Sequence, residues 1–150
     1  MTMSKPTILL IPGSFHPPEL WKGVQDPLHG LGYQISTLPL LSNDQLPETH
    51  EDITQREATF IHQHVEKLLD GGQDVLVVMH SYGGVPGTEG LKGLGKIERK
   101  AASKPNGVVG LVYLCAFMLW EGARILEDCI LARDDFMGKL QFDTTVSATQ

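Results

Sequence analysis

Cysteine is scarce in this chain. Its two thiols, Cys115 and Cys129, stand in 150 residues and form no C-x-x-C pair, which excludes a disulfide-stapled scaffold. Cys115 sits inside an apolar run, so both thiols are expected to be reduced and mostly buried. Positive charge is also short: 12 Lys and Arg stand against 18 Asp and Glu, a formal charge of −6. That balance offers no electrostatic footprint for nucleic acid or an anionic membrane. No apolar run is long enough to cross a bilayer, and the opening MTMSKPTILLIPG stops its short apolar stretch at Pro12. With no Asn-x-Ser/Thr acceptor either, the expected setting is intracellular, reducing and cytoplasmic.

What remains is ordinary soluble composition and one domain's worth of chain. Strand-like and helix-like pieces alternate. Residues 7–11 (TILLI) form a continuous apolar run, as in a strand covered on both faces. Leu20, Val24, Leu28 and Leu31 then share one helical face, kinked or split by Pro27 and stopped at Gly32. Residues 33–38 (YQISTL) read as a second, weaker strand. Thr54-x-x-Glu57 resembles a capping box, with Thr49-x-x-Asp52 an earlier and looser one. The helix that follows carries Ala58, Ile61, Val65 and Leu68 on one face and stops at Gly71-Gly72. Residues 74–79 and 108–116 supply the third and fourth strands, with a glycine-rich, partly helical stretch between them. A last amphipathic segment, 123–132, precedes a polar end expected to fray. This pattern predicts a mostly parallel sheet of about four strands with helices on both faces, the first and third strands side by side.

The chemistry concentrates in VLVVMHSYGGV, residues 75–85. A buried strand runs straight into a serine followed by glycines. A nucleophilic serine needs a tight strand-to-helix turn, and such a turn needs small flanks. Gly83 and Gly84 meet that need on one side; Met79, on the other, has to point into a gap or leave the turn looser than usual. The helix start after Ser81 favours a developing oxyanion. Gly13, directly after the first strand, lets the chain turn so that the N–H of Ser14 and the N–H of Tyr82 converge as an oxyanion hole.

Together TILLIPGSFHPPELW, HVEKLLDGGQDVLVVMHSYGG and GVVGLVYLCAFMLWEG resemble the α/β-hydrolase superfamily, its esterase-like branch and small fungal members in particular. The resemblance implies a partial α/β-hydrolase fold, with residues 1–120 as the N-terminal part of the core and 121–150 as the start of a lid. It implies Ser81 as nucleophile, the Ser14 and Tyr82 amides as oxyanion donors, and Phe15, His16 and Trp120 near the pocket. It implies no cofactor and a role in tailoring a secondary metabolite; Phe15, Trp120 and the apolar start of the lid suggest a small apolar or aromatic ester or thioester as substrate.

The family takes its acid and histidine from loops after further strands, and this sequence has no histidine after His80. The expectation is a chain truncated after the start of the lid. His16 is expected to line the pocket, with catalysis beside Ser81 the less favoured alternative, and His80 is expected to point away into the fold. His62 and His64 are two apart on a helix, face different ways and cannot chelate one metal; with His29 and His50 they read as solvated. GLKGLGKI, residues 90–97, lacks the Ser/Thr and the preceding strand of a phosphate loop, so Lys92, Lys96 and Lys100 read as a solvated helix face. A lyase or cyclase on the same scaffold, or a binding module without turnover, stays open beside the hydrolase. The fourth strand is expected to leave an apolar edge that pairs with a second copy.

Overall fold

The computed structural model describes residues 4–41 and 50–119. The chain divides into two compact units, Met1–Met118 and Leu119–Gln150. Trp120, Cys129 and the segment 123–132 lie outside the described residues.

Strands β1 (Thr7–Ile11), β2 (Ile35–Thr37), β3 (Val75–His80) and β4 (Val108–Leu114) form one sheet in the order β2-β1-β3-β4. Every neighbouring pair is parallel, and β1 lies against β3 in a register running from Thr7–Val75 to Ile11–Met79. All five residues of β1 are buried, as its unbroken apolar run requires. On β3 the side chains alternate between two cores. Val75, Val77 and Met79 join Leu9, Ile11, Ile61 and Val65 on one face; Leu76 and Val78 pack with Ile8, Leu10 and Trp21 on the other.

Helices cover both faces. A 3-10 turn (Pro18–Trp21) runs into α1 (Lys22–Gly30), which retains Pro27. Only part of its expected apolar face is buried: Leu20, Val24 and Leu31 are 65, 43 and 62 % exposed. Of the expected four, Leu28 makes the contact with the sheet, joined by Trp21. Helix α2 (His50–Asp70) begins ahead of Thr54, so Thr54-x-x-Glu57 lies inside the helix and caps nothing. Ala58, Ile61 and Val65 are buried as the periodicity predicts, and Leu69, one residue past the expected Leu68, is the fully buried residue of the last turn. Helix α3 (Gly84–Gly90) follows the serine turn, and α4 (Lys96–Ala101) leads toward β4. The buried Arg99 ties α4 to the end of α2 by a 2.6 Å bond to Asp70, and its Nε donates to the Asn106 carbonyl.

Two strands are shorter than the sequence suggests. β2 keeps three residues of the expected six. β4 ends at Leu114 because Cys115 takes a positive φ of 44°, which no strand continues through. Cys115 is exposed, against the expectation of a buried thiol. β4 is an outer strand, and Val109, Leu111, Val112 and Leu114 are between 42 and 47 % exposed.

Candidate active site

Ser81 sits where β3 meets a 3-10 turn (Ser81–Gly83) that feeds α3. His80 is still extended, with φ −115° and ψ 137°, and Ser81 then turns to φ 50°. A serine in the left-handed region is strained by about 1–3 kcal/mol and persists only where its surroundings hold it. They do so from two strands. The Ser81 carbonyl accepts from the Phe117 N–H at 3.0 Å and from the Gly84 N–H. A Cβ on Gly83 would overlap the Pro12 carbonyl, and one on Gly84 the Phe117 carbonyl. Both glycines are therefore required by close backbone approach. On the near flank, fully buried Met79 finds its gap at Gly87, where a Cβ would stand only 2.6 Å from the Met79 sulfur.

The two peptide N–H groups follow from the same clamp. In a trans peptide the C=O and the next N–H point in opposite directions. With the Ser81 carbonyl held toward Phe117 and Gly84, the Tyr82 N–H faces away from them, in a first turn that has no intrahelical acceptor for it. From β1, Gly13 passes directly over the serine: a Cβ there would lie 2.8 Å from Ser81 Cβ and 3.4 Å from Ser81 Oγ. Among the described residues, the Ser14 N–H donates to no backbone carbonyl.

The loop after Gly13 turns sharply, with Phe15 at φ 60°. Phe15 is 84 % exposed. His16 is half-buried; its Nδ1 donates to the Ser14 carbonyl at 2.8 Å, which fixes the tautomer. Its ring meets His80 edge-on at 5.1 Å, and His80 meets Trp21 edge-on at 6.1 Å. His80 is thus half-buried at the end of the sheet rather than in a core. Burial, then the neighbouring His16, holds its pKa below the ordinary imidazole value. The tryptophan that joins this cluster is Trp21, which sequence reasoning did not single out although it stands in the PPELW stretch.

A family model described as "Alpha/beta hydrolase family" matches residues 8–148. The chain belongs to the α/β-hydrolase family. It is 39 % identical over 119 residues to "Alpha/beta hydrolase nvfD" of Aspergillus novofumigatus, covering 76 % of this chain and 44 % of that protein. It is 36 % identical over 143 residues to "Probable hydrolase R7" of a Phoma species, covering 95 % of this chain and 54 % of that one. A solved extracellular α/β-hydrolase from a Paenibacillus species, titled as sharing homology with tobacco salicylic acid binding protein 2, superposes with a TM-score of 0.55. At 21 % identity, over 82 % of this chain and 46 % of that one, the likeness is one of fold. The chain spans about half the length of the curated relatives it matches.

Other polar groups of this α/β-hydrolase domain are structural. His62 Nδ1 pairs with the Gly90 carbonyl at 2.9 Å and His64 Nε2 with Ser36 Oγ at 3.0 Å. They do face different ways, but they are half-buried ties between elements rather than solvated residues. No cluster of metal-ligating side chains occurs among the described residues. Lys96 is bonded to Asp74, while Lys92 and Lys100 are exposed, so only two of the three lysines form the expected solvated set. A cavity of about 270 Å³ lies along α2, lined by Leu41, Gln55, Arg56, Thr59, Phe60 and Gln63, and none of these belongs to the serine turn.

Proposed function

We propose that this domain carries the nucleophile and oxyanion hole of a serine hydrolase of the esterase type. Ser81 Oγ attacks an ester or thioester carbonyl, and the N–H groups of Ser14 and Tyr82 receive the negative oxygen of the tetrahedral intermediate. The alcohol or thiol leaves, and water releases the acyl group as a carboxylic acid. The observation that carries this reading is the clamped, left-handed Ser81 at the end of a buried strand, with the side-chain-free Gly13 passing close over it. His16 is tied to the Ser14 carbonyl and His80 is packed edge-on against His16 and Trp21, so neither is assigned as the base that accepts the serine proton. The relatives' printed names support the hydrolase class.

The substrate we propose is a small apolar or aromatic ester or thioester, with Phe15, His16 and Trp120 as pocket residues and Trp21 added to them. The setting is a fungal cytoplasm and a role in secondary-metabolite biosynthesis; the exposed apolar β4 supports pairing with a second copy. The test is a fluorophosphonate probe. Ser81 should be labelled, as located by peptide mass spectrometry, and Ser81→Ala should not. No labelling of the wild-type chain at any pH between about 6 and 9, the range in which imidazole bases work, would end this reading.

A further inference from the structure

The residue after the serine sends its side chain away from the site. The Tyr82 ring packs against the core beneath α2, and its hydroxyl donates to Glu57 Oε2 at 2.8 Å. The same hydroxyl shares a 3.0 Å hydrogen bond with Thr54 Oγ1. Thr54 and Glu57 are three apart on α2 and so present side chains to one neighbour. Glu57 is fully buried. A buried carboxyl group is costly to desolvate, and an apolar residue of similar size often serves stability as well or better. Its presence here is therefore poorly explained by stability.

Position explains it. The Ser81–Tyr82 peptide carries the proposed oxyanion N–H of Tyr82. Its carbonyl end is fixed through Ser81 by Phe117 and Gly84. Its other end is the Tyr82 Cα, on which the Tyr82 side chain is a long lever. We infer that Glu57 and Thr54 are positioning residues: through the Tyr82 hydroxyl they fix the peptide plane at the nucleophile and so aim the Tyr82 N–H. The inference rests on the serine-hydrolase reading above. It also gives the Thr54-x-x-Glu57 motif a role that helix capping does not supply.

The test is the rate of Ser81 labelling by a fluorophosphonate on the 150-residue chain, with the maximal rate constant separated from the half-saturating probe concentration. Tyr82→Phe removes only the hydroxyl, Thr54→Val one of its partners and Glu57→Leu the other. Each is expected to lower the maximal rate, about tenfold or more for Tyr82→Phe and Glu57→Leu, because donor misplacement by a fraction of an ångström acts on the transition state. The half-saturating concentration is expected to stay put, which a general loosening of the site would not allow. Glu57→Gln keeps an acceptor oxygen and should recover to within about threefold of wild type, and Tyr82→Phe/Glu57→Leu should be no slower than the slower single variant. If Glu57→Leu does not fold, Tyr82→Phe decides. A folded Tyr82→Phe that labels at the wild-type rate overturns the inference and leaves the serine reading standing. A wild-type chain that never labels overturns both.

Discussion

Replacing Gly13 by alanine puts the proposed site under the most direct strain that the structure defines. The new methyl carbon would stand 2.8 Å from Ser81 Cβ, 3.2 Å from His80 Nδ1 and 3.4 Å from Ser81 Oγ. Carbon atoms in contact settle at about 3.5 Å or more, so the two Cβ atoms must part by about 0.7 Å. Ser81 has little freedom to yield. Its carbonyl is bonded to Phe117, and Gly83 and Gly84 already abut backbone on either side. The movement therefore falls on the Gly13 loop, and the Ser14 amide moves with it. A shift approaching 1 Å in a positioned group costs up to about 10²-fold, comparable to the loss of an oxyanion donor. Fluorophosphonate labelling of Gly13→Ala is expected to slow by about ten- to a hundredfold, with a stability loss of about 1–3 kcal/mol from overpacking. Gly23→Ala is the matched control. Gly23 lies in α1 with nothing within 4 Å of a built Cβ. It should raise stability by about 0.5–1 kcal/mol and leave labelling unchanged. A folded Gly13→Ala that labels as fast as wild type would refute the close approach of β1 to the nucleophile as a requirement of the site.

Three further outcomes follow from the described contacts. Arg99→Ala removes a buried guanidinium that bonds Asp70 and the Asn106 carbonyl; because Asp70 is half exposed, the loss in urea unfolding should be about 1–3 kcal/mol rather than that of a fully buried pair. An unchanged midpoint would show that α4 is not held by that contact. Burial, then His16, depresses the His80 pKa; burial, then Lys67, depresses that of His64. The unfolded chain then takes up protons on these rings before the folded chain does, so their contribution is fully present above about pH 6.5 and falls as pH drops toward the lower folded values. Urea midpoints at about pH 7.5 and 5.5 should differ less in His64→Gln/His80→Gln than in wild type, and an equal difference contradicts the assignment. Cys115 is exposed, so a thiol reagent should modify it in the native chain, as read by mass spectrometry; reaction only after unfolding would place it under cover.

The sheet was legible because three of its four strands are nearly pure apolar runs, and β1 in particular can only be covered on both faces. The serine turn was legible for a related reason: a glycine pair after a buried strand has few other uses. Met79 was read as needing a gap, and the gap is there at Gly87. Periodicity failed where apolar spacing and burial part company. Leu20, Val24, Leu28 and Leu31 share a helical face, yet of these only Leu28 meets the sheet, beside Trp21. Local motif reading failed at Thr54-x-x-Glu57 for a clear reason. A capping box and a pair of hydrogen-bonding residues one turn apart have the same spelling, and only the helix start at His50 separates them. Cys115 was expected inside a strand because its neighbours are apolar; its backbone instead breaks the strand.

That break bears on the nucleophile. The turn at Cys115 ends β4 and brings the Phe117 N–H to the Ser81 carbonyl across 36 residues of chain. β1 closes on the serine turn through Pro12 and Gly13, and α2 reaches it through Tyr82. No one of these contacts is encoded within the pentapeptide that spells the motif. The conformation of the serine in HSYGG is therefore not set by its neighbours in sequence alone. The left-handed conformation of Ser81 is disfavoured on its own, and three distant segments hold it in place. Loosening any one of them should let Ser81 relax toward an ordinary strand-to-helix loop, in which the proposed alignment of the Ser14 and Tyr82 amides would be lost.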